Sequence, residues 1–70
     1  MAGRLKQIVD QVKARVMLKN LAASTLSMKL GTNVENFTET TPDDTQIEQK
    51  LLAIAKGLLG DDKYSEIRII

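Results

Sequence analysis

Between Arg4 and Leu30 the chain contains neither glycine nor proline, and apolar side chains recur there at alternating steps of four and three. Leu5, Val9, Val12, Val16, Lys19, Ala23, Leu26 and Leu30 take the a and d positions of a heptad, with Lys19 as its one polar member. Such a repeat lays an apolar stripe along a helix and demands a second apolar surface to cover it. The pattern predicts a long N-terminal helix that stops at Gly31, with Lys29 in its last turn. Asn20 is the weak point, because it can end one helix and cap another, and Ser24, Thr25 and Ser27 lower helix propensity beyond it. One bent helix over 4–30 and two helices jointed near Asn20 both satisfy the stripe.

A second helix is expected at 42–59. Thr41 offers a capping hydroxyl, Pro42 suits the first helical position, and Asp43 and Asp44 face the positive end of the dipole. Ile47, Leu51, Ile54, Ala55 and Leu58 form one apolar face behind them, widened by Leu52 and Leu59, and Gly60 closes the helix. Residues 32–41 are rich in threonine and carry the lone Phe37, which suits a short strand. Thr32 followed by Glu35 equally suits one capped helical turn. Residues 63–70 are β-prone and partly alternating. The expected fold is mainly α: a long N-terminal helix and a second helix packed as a hairpin-like, self-associating bundle. The alternative is α+β, with short strands near 34–40 and 65–70 around helix 42–59.

Size supplies the reason to expect self-association. Seventy residues make one small domain, 1–70. A chain of that length buries only about 60% of the surface its unfolded state exposes. It has one Phe, one Tyr, no Trp and no Cys, so neither large rings nor disulfides supplement the core. Oligomerisation is the remaining staple. The interface expected on this ground comprises Leu5, Val9, Val12, Val16, Ala23, Leu26, Leu30, Ile47, Leu51, Ile54 and Leu58.

The same composition narrows the chemistry. Without His or Cys there is no His-based triad, no thiol nucleophile and no zinc site of the usual kind. Asp43-Asp44 and Asp61-Asp62 are adjacent pairs, and neighbours on a helix point about 100° apart, so neither pair converges as a catalytic dyad would. Ser24, Thr25 or Ser27 with Lys29 offers a Ser–Lys pair in principle, supported by nothing but proximity. The four glycines are scattered, so no phosphate-cradling loop is present. Asp44-Thr45 at a helix start lacks the serine that a carrier protein modifies. No catalytic residue, metal or cofactor is expected.

Charge is divided unevenly along the chain. Residues 1–30 carry Arg4, Lys6, Lys13, Arg15, Lys19 and Lys29 against Asp10 alone, a net of +5, while residues 31–70 carry a net of −4. Either the two halves face each other, or the basic half meets an anionic partner. Lys6 and Lys13 fall at e positions beside the seam, and Arg15 and Lys29 at g, a layout that suits an acidic helix, a nucleic-acid backbone or an anionic membrane surface. The six basic residues form the candidate anion-binding set. A helix-turn-helix hinged on Gly31 would put Glu35 and Glu39 toward phosphates, which opposes binding.

The longest apolar run, Leu51 to Ala55, is too short to span a membrane. The basic, acid-poor start has the character of a mitochondrial presequence, but its stripe continues far into the chain, and a cytoplasmic protein is expected. The functional expectation is a small non-enzymatic interaction or regulatory protein that acts through protein–protein contacts as a homo-oligomer. The alternative is a nucleic-acid or anionic-surface binder using the basic N-terminal helix.

Overall fold

The computed structural model describes residues 3–68. Their order is α1 (Arg4–Leu18), α2 (Ala23–Leu30), a single 3-10 turn (Val34–Asn36) and α3 (Thr45–Tyr64). The fold is mainly α, and no strand occurs among the described residues. The α+β alternative is therefore corrected. Residues 34–36 form the 3-10 turn, and 65–68 follow α3 as a turn and a short tail, while positions 69 and 70 lie outside the described residues.

The apolar stripe of 4–30 is broken, and the break sits at Asn20. Asn20 has φ 62°, the left-handed region. Its N–H donates to the Met17 carbonyl at 3.0 Å, and the Leu21 N–H reaches back to the Val16 carbonyl at 2.9 Å. These two bonds are the Schellman termination of a helix, with asparagine in the place that glycine more often fills. Leu21 then packs against the core. The chain reverses, and α2 runs back along the bundle until Gly31, at φ 85°, ends it.

That reversal makes α1 and α3 parallel rather than antiparallel. At one end Arg4 Nε contacts Glu48 Oε1 at 2.7 Å, and the Leu5 N–H donates to Asp43 Oδ1 at 3.0 Å. At the other end Lys19 Nζ donates to the carbonyls of Leu58 and Leu59 at 3.4 and 3.3 Å. The expected antiparallel hairpin of one long helix and one short one is replaced by an up-down-up arrangement in which α3 packs on both α1 and α2. The core comprises Leu5, Ile8, Val9, Val12 and Val16 from α1, Leu26 and Leu30 from α2, Val34 and Phe37 from the connection, and Leu51, Ala55 and Leu59 from α3. Each large aliphatic side chain so buried contributes roughly 1.5–3 kcal/mol of transfer free energy.

The start of α3 also differs from expectation. Thr41 is not its cap; the Thr41 hydroxyl instead accepts the Thr38 N–H at 2.8 Å, closing a turn. Asp44 caps α3, its Oδ1 accepting from Gln46 N at 3.0 Å and Ile47 N at 3.2 Å. Asp43, one residue earlier, serves α1. The N-cap of α1 is Gly3, which has no side chain to offer. A Cβ there would approach Asp43 Oδ1 to 2.9 Å, so the bare backbone is what admits the carboxylate. Two adjacent acids thus satisfy the orphan N–H groups of two different helices. The short turn at 34–36 is capped by Asn33, whose side chain accepts from Glu35 N, and not by Thr32. At the far end Gly60, at φ 76° and ψ 170°, stops the regular part of α3 where the sequence places the stop, and one further helical turn follows.

Asp44→Ala is expected to lower the unfolding free energy by about 1 kcal/mol, and Asp43→Ala by a similar amount, since each uncovers a helix N-terminus. Thr41→Ala removes only a turn contact and should cost less. Urea midpoints of the three variants check this order, and a Thr41 variant as damaging as the Asp44 variant would move the start of α3. Asn20→Val should cost about 1–2 kcal/mol through left-handed backbone strain, with Asn20→Gly tolerated; equal midpoints for the two would exclude the strain account.

Candidate functional site

The six candidate anion-binding residues do not form one patch. Arg4 is paired with Glu48 at 2.7 Å, Lys6 with Asp10 at 2.8 Å and Lys13 with Glu35 at 3.1 Å. Arg15 is braced by the C-terminal tail: its Nε faces Glu66 Oε1 at 3.5 Å, and its Nη2 donates to the Glu66 carbonyl at 3.4 Å. The fully covered Nε makes no hydrogen bond, so the contact is an ion pair alone. Lys19 neutralises the carbonyl end of α3, where the helix dipole is negative. Three of these contacts, from Arg4, Lys13 and Arg15, join the basic half of the chain to the acidic half. Lys29 alone of the six meets no carboxylate among the described residues and no capped carbonyl.

The expected oligomer-interface residues divide by depth. Leu5, Val9, Val12, Val16, Leu26, Leu30 and Leu51 are buried within the single chain, all at 5% exposure or less. They contact α3 and one another, so the seam is internal and is not offered to a second copy. Ala23, Ile47, Ile54 and Leu58 are only half-buried and pack at the edge of the core. Ile8, at a g position outside the expected seam, is fully buried because α1 meets both other helices and needs a wider stripe than a two-helix seam.

Two polar residues act in ways that the pattern does not reveal. Gln11 clasps the tail: its Oε1 accepts from Arg68 N at 2.6 Å, and its Nε2 donates to the Arg68 carbonyl. Its side-chain amide therefore pairs with the tail backbone as a neighbouring strand would. Ser27 bonds the Ala23 carbonyl and accepts the Val34 N–H at 3.0 Å, which pins the start of the connection to α2. Ser27 is thus committed to the fold rather than poised beside Lys29 as a nucleophile. The carboxylates of Asp43 and Asp44 are likewise engaged as helix caps. A helix-turn-helix hinged on Gly31 is not formed, since the segment beginning near Val34 makes a single 3-10 turn and the next α-helix starts only at Thr45. No group of three His, Cys, Asp or Glu side chains is placed to hold a metal among the described residues.

What remains accessible is an open groove of about 480 Å³ between α2 and α3, lined by Lys29, Ala53, Ile54, Gly57 and Leu58. Gly57 forms its notch, for a Cβ added there would meet nothing within 4 Å. Lys50 stands on the same side of the molecule, its ammonium 3.8 Å from where a Cβ on Gly31 would lie. Elsewhere on the surface, among the described residues, three large apolar side chains are exposed: Met17 at 60%, Leu18 at 71% and Met28 at 82%. No helix among the described residues is long and apolar enough to cross a membrane. Comparison with protein-family models, with curated proteins and with solved structures finds no match.

Replacing Lys6, Lys13 and Arg15 together by Gln should leave the fold intact and lower stability modestly, because exposed ion pairs contribute on the order of 0–1 kcal/mol each. Titration of labelled duplex DNA and RNA at physiological salt should show no tight binding by the parent protein. Tight binding that falls steeply with salt, and that the triple variant loses, would restore the nucleic-acid reading.

Proposed function

We propose that this is a small non-enzymatic interaction protein of the cytoplasm that works through protein–protein contacts, in part with copies of itself. The observation that carries the reading is apolar surface left over after the core is complete. Met17, Leu18 and Met28 are exposed although a continuous core already joins all three helices. Methionine is unbranched and polarisable, and it adapts to the shape of whatever covers it. The half-buried Ile54 and Leu58 add apolar wall to the groove beside α2. Support against the anionic-polymer alternative comes from the ion pairs: basic residues that pair with the chain's own acids have little left to release counterions from phosphates. The aromatic stacking platform that favours single strands is missing too, since the one Phe is buried and the one Tyr packs on the core.

Sedimentation equilibrium across micromolar to millimolar concentration tests the reading. A reversible monomer–dimer or higher association is expected. A monomer throughout would remove self-association and leave contact with a different protein as the function.

A further inference from the structure

The geometry points to the α2–α3 groove as the self-association surface, with α3 of a second copy lying antiparallel in it about a two-fold axis near Ile54 and Gly57. This inference rests on the self-association proposed above and names its surface. Its basis is the charge that the fold leaves unspent. Among the described residues, the cations without a carboxylate partner include Lys29, Lys50 and Lys56, and the acids without a cation or a capping duty include Glu39, Asp61 and Asp62. Lys50 stands toward the start of α3, and the Asp61-Asp62 pair stands just past the kink at Gly60 that ends its regular part; all three are exposed. Antiparallel pairing of the regular part of α3 about its middle brings Lys50 of each copy toward the acidic turn of the other that follows Gly60 and carries Asp61 and Asp62. Each interface therefore makes the contact twice, as a two-fold requires.

The apolar surface between those charges fits the same pairing. From Lys50 to Gly60 α3 extends roughly 15 Å, at 1.5 Å per residue. Along it the outward positions Ala53 and Gly57 are small, so a second helix can approach closely. The axis that matches Lys50 with Asp61 also sets Ile54 opposite Gly57 of the copy, an apolar knob over an empty notch. Lys29, on the α2 wall, faces the approaching helix from the side. No rearrangement of the core is needed, since every residue of the pairing is exposed or half-buried already.

A charge-swap cycle on the full chain, read by sedimentation equilibrium at low salt, tests the pairing. Lys50→Glu alone should weaken dimerisation about tenfold, and Asp61→Lys with Asp62→Lys by a similar factor. Combining all three substitutions should restore it, because each reversed charge then meets a reversed partner. Gly57→Leu fills the notch and should also weaken the dimer. The same change should raise the melting temperature of the dilute monomer, since leucine is the better helix former and its side chain meets open space. Dimers that form with unchanged affinity in every variant, or a combined variant that stays weak, would refute this surface while leaving self-association standing. A monomer at all concentrations would refute both.

Discussion

The left-handed turn at Asn20 decides where the apolar side chains of the first thirty residues go. Without it, the stripe from Leu5 to Leu30 would be one helix more than 35 Å long, by the rise of about 1.5 Å per residue, and its seam would need cover from another molecule. With it, α2 folds back and α3 completes the enclosure. The large apolar side chains of the stripe, from Leu5 to Leu30, then lie inside the chain. The energetic demand of the apolar stripe is the same in both arrangements. What differs is the source of the covering surface, and one backbone conformation selects it. Asparagine adopts that conformation more readily than other residues with a Cβ, which is why so little local sequence suffices.

Electrostatics in this fold is mostly internal accounting. The basic first half and acidic second half meet across α1–α3 and across α1 and the tail. Exposed pairs of this kind add little stability singly. Their larger effect is on arrangement: Arg4 with Glu48 at one end and Lys19 with the α3 carbonyls at the other both favour parallel alignment. Parallel helices place like dipole ends together, which is unfavourable. Asp43, Asp44 and Glu48 at the positive end, and Lys19 at the negative end, offset that repulsion.

Periodicity in the sequence reveals which face of a helix is buried, and here it does so well for Leu5, Val9, Val12, Val16, Leu26, Leu30, Leu51 and Ala55. It does not reveal what covers the face, so an intermolecular seam and an intramolecular core read alike until the Asn20 turn is resolved. The end of the last regular helix at Gly60 is legible because the residue has a unique backbone range. The start is misread by three residues, since Thr41-Pro42 and Asp44-Thr45 both carry valid capping chemistry. The choice depends on Asp43 being needed by α1, a contact across 38 residues. The candidate site is legible only in outline. The division of charge leaves open whether the two halves pair or the basic half meets an anionic partner. Glu48 is foreseeable as an internal partner from its place beside the apolar face of the second helix, but Glu35 and Glu66 are set by the path of the connection and the tail. Gln11 and Ser27 leave no trace in the pattern, because their bonds go to backbone groups brought near by tertiary folding.

The parallel α1–α3 pairing also shapes how the chain reaches its native state. Helices α1 and α2 are joined by a tight turn, so their hairpin can close early and at small entropic cost. The contacts that seat α3 join residues 38 to 44 positions apart. Closing loops of that span is slower than pairing neighbouring helices, and the cost must be met before those contacts return any stability. The transition state is therefore expected to hold the α1–α2 turn largely formed while α3 docks. In that species Leu5, Val9 and Val12 still lack their cover from α3, and the apolar face of the α1–α2 hairpin is briefly open to a neighbouring chain.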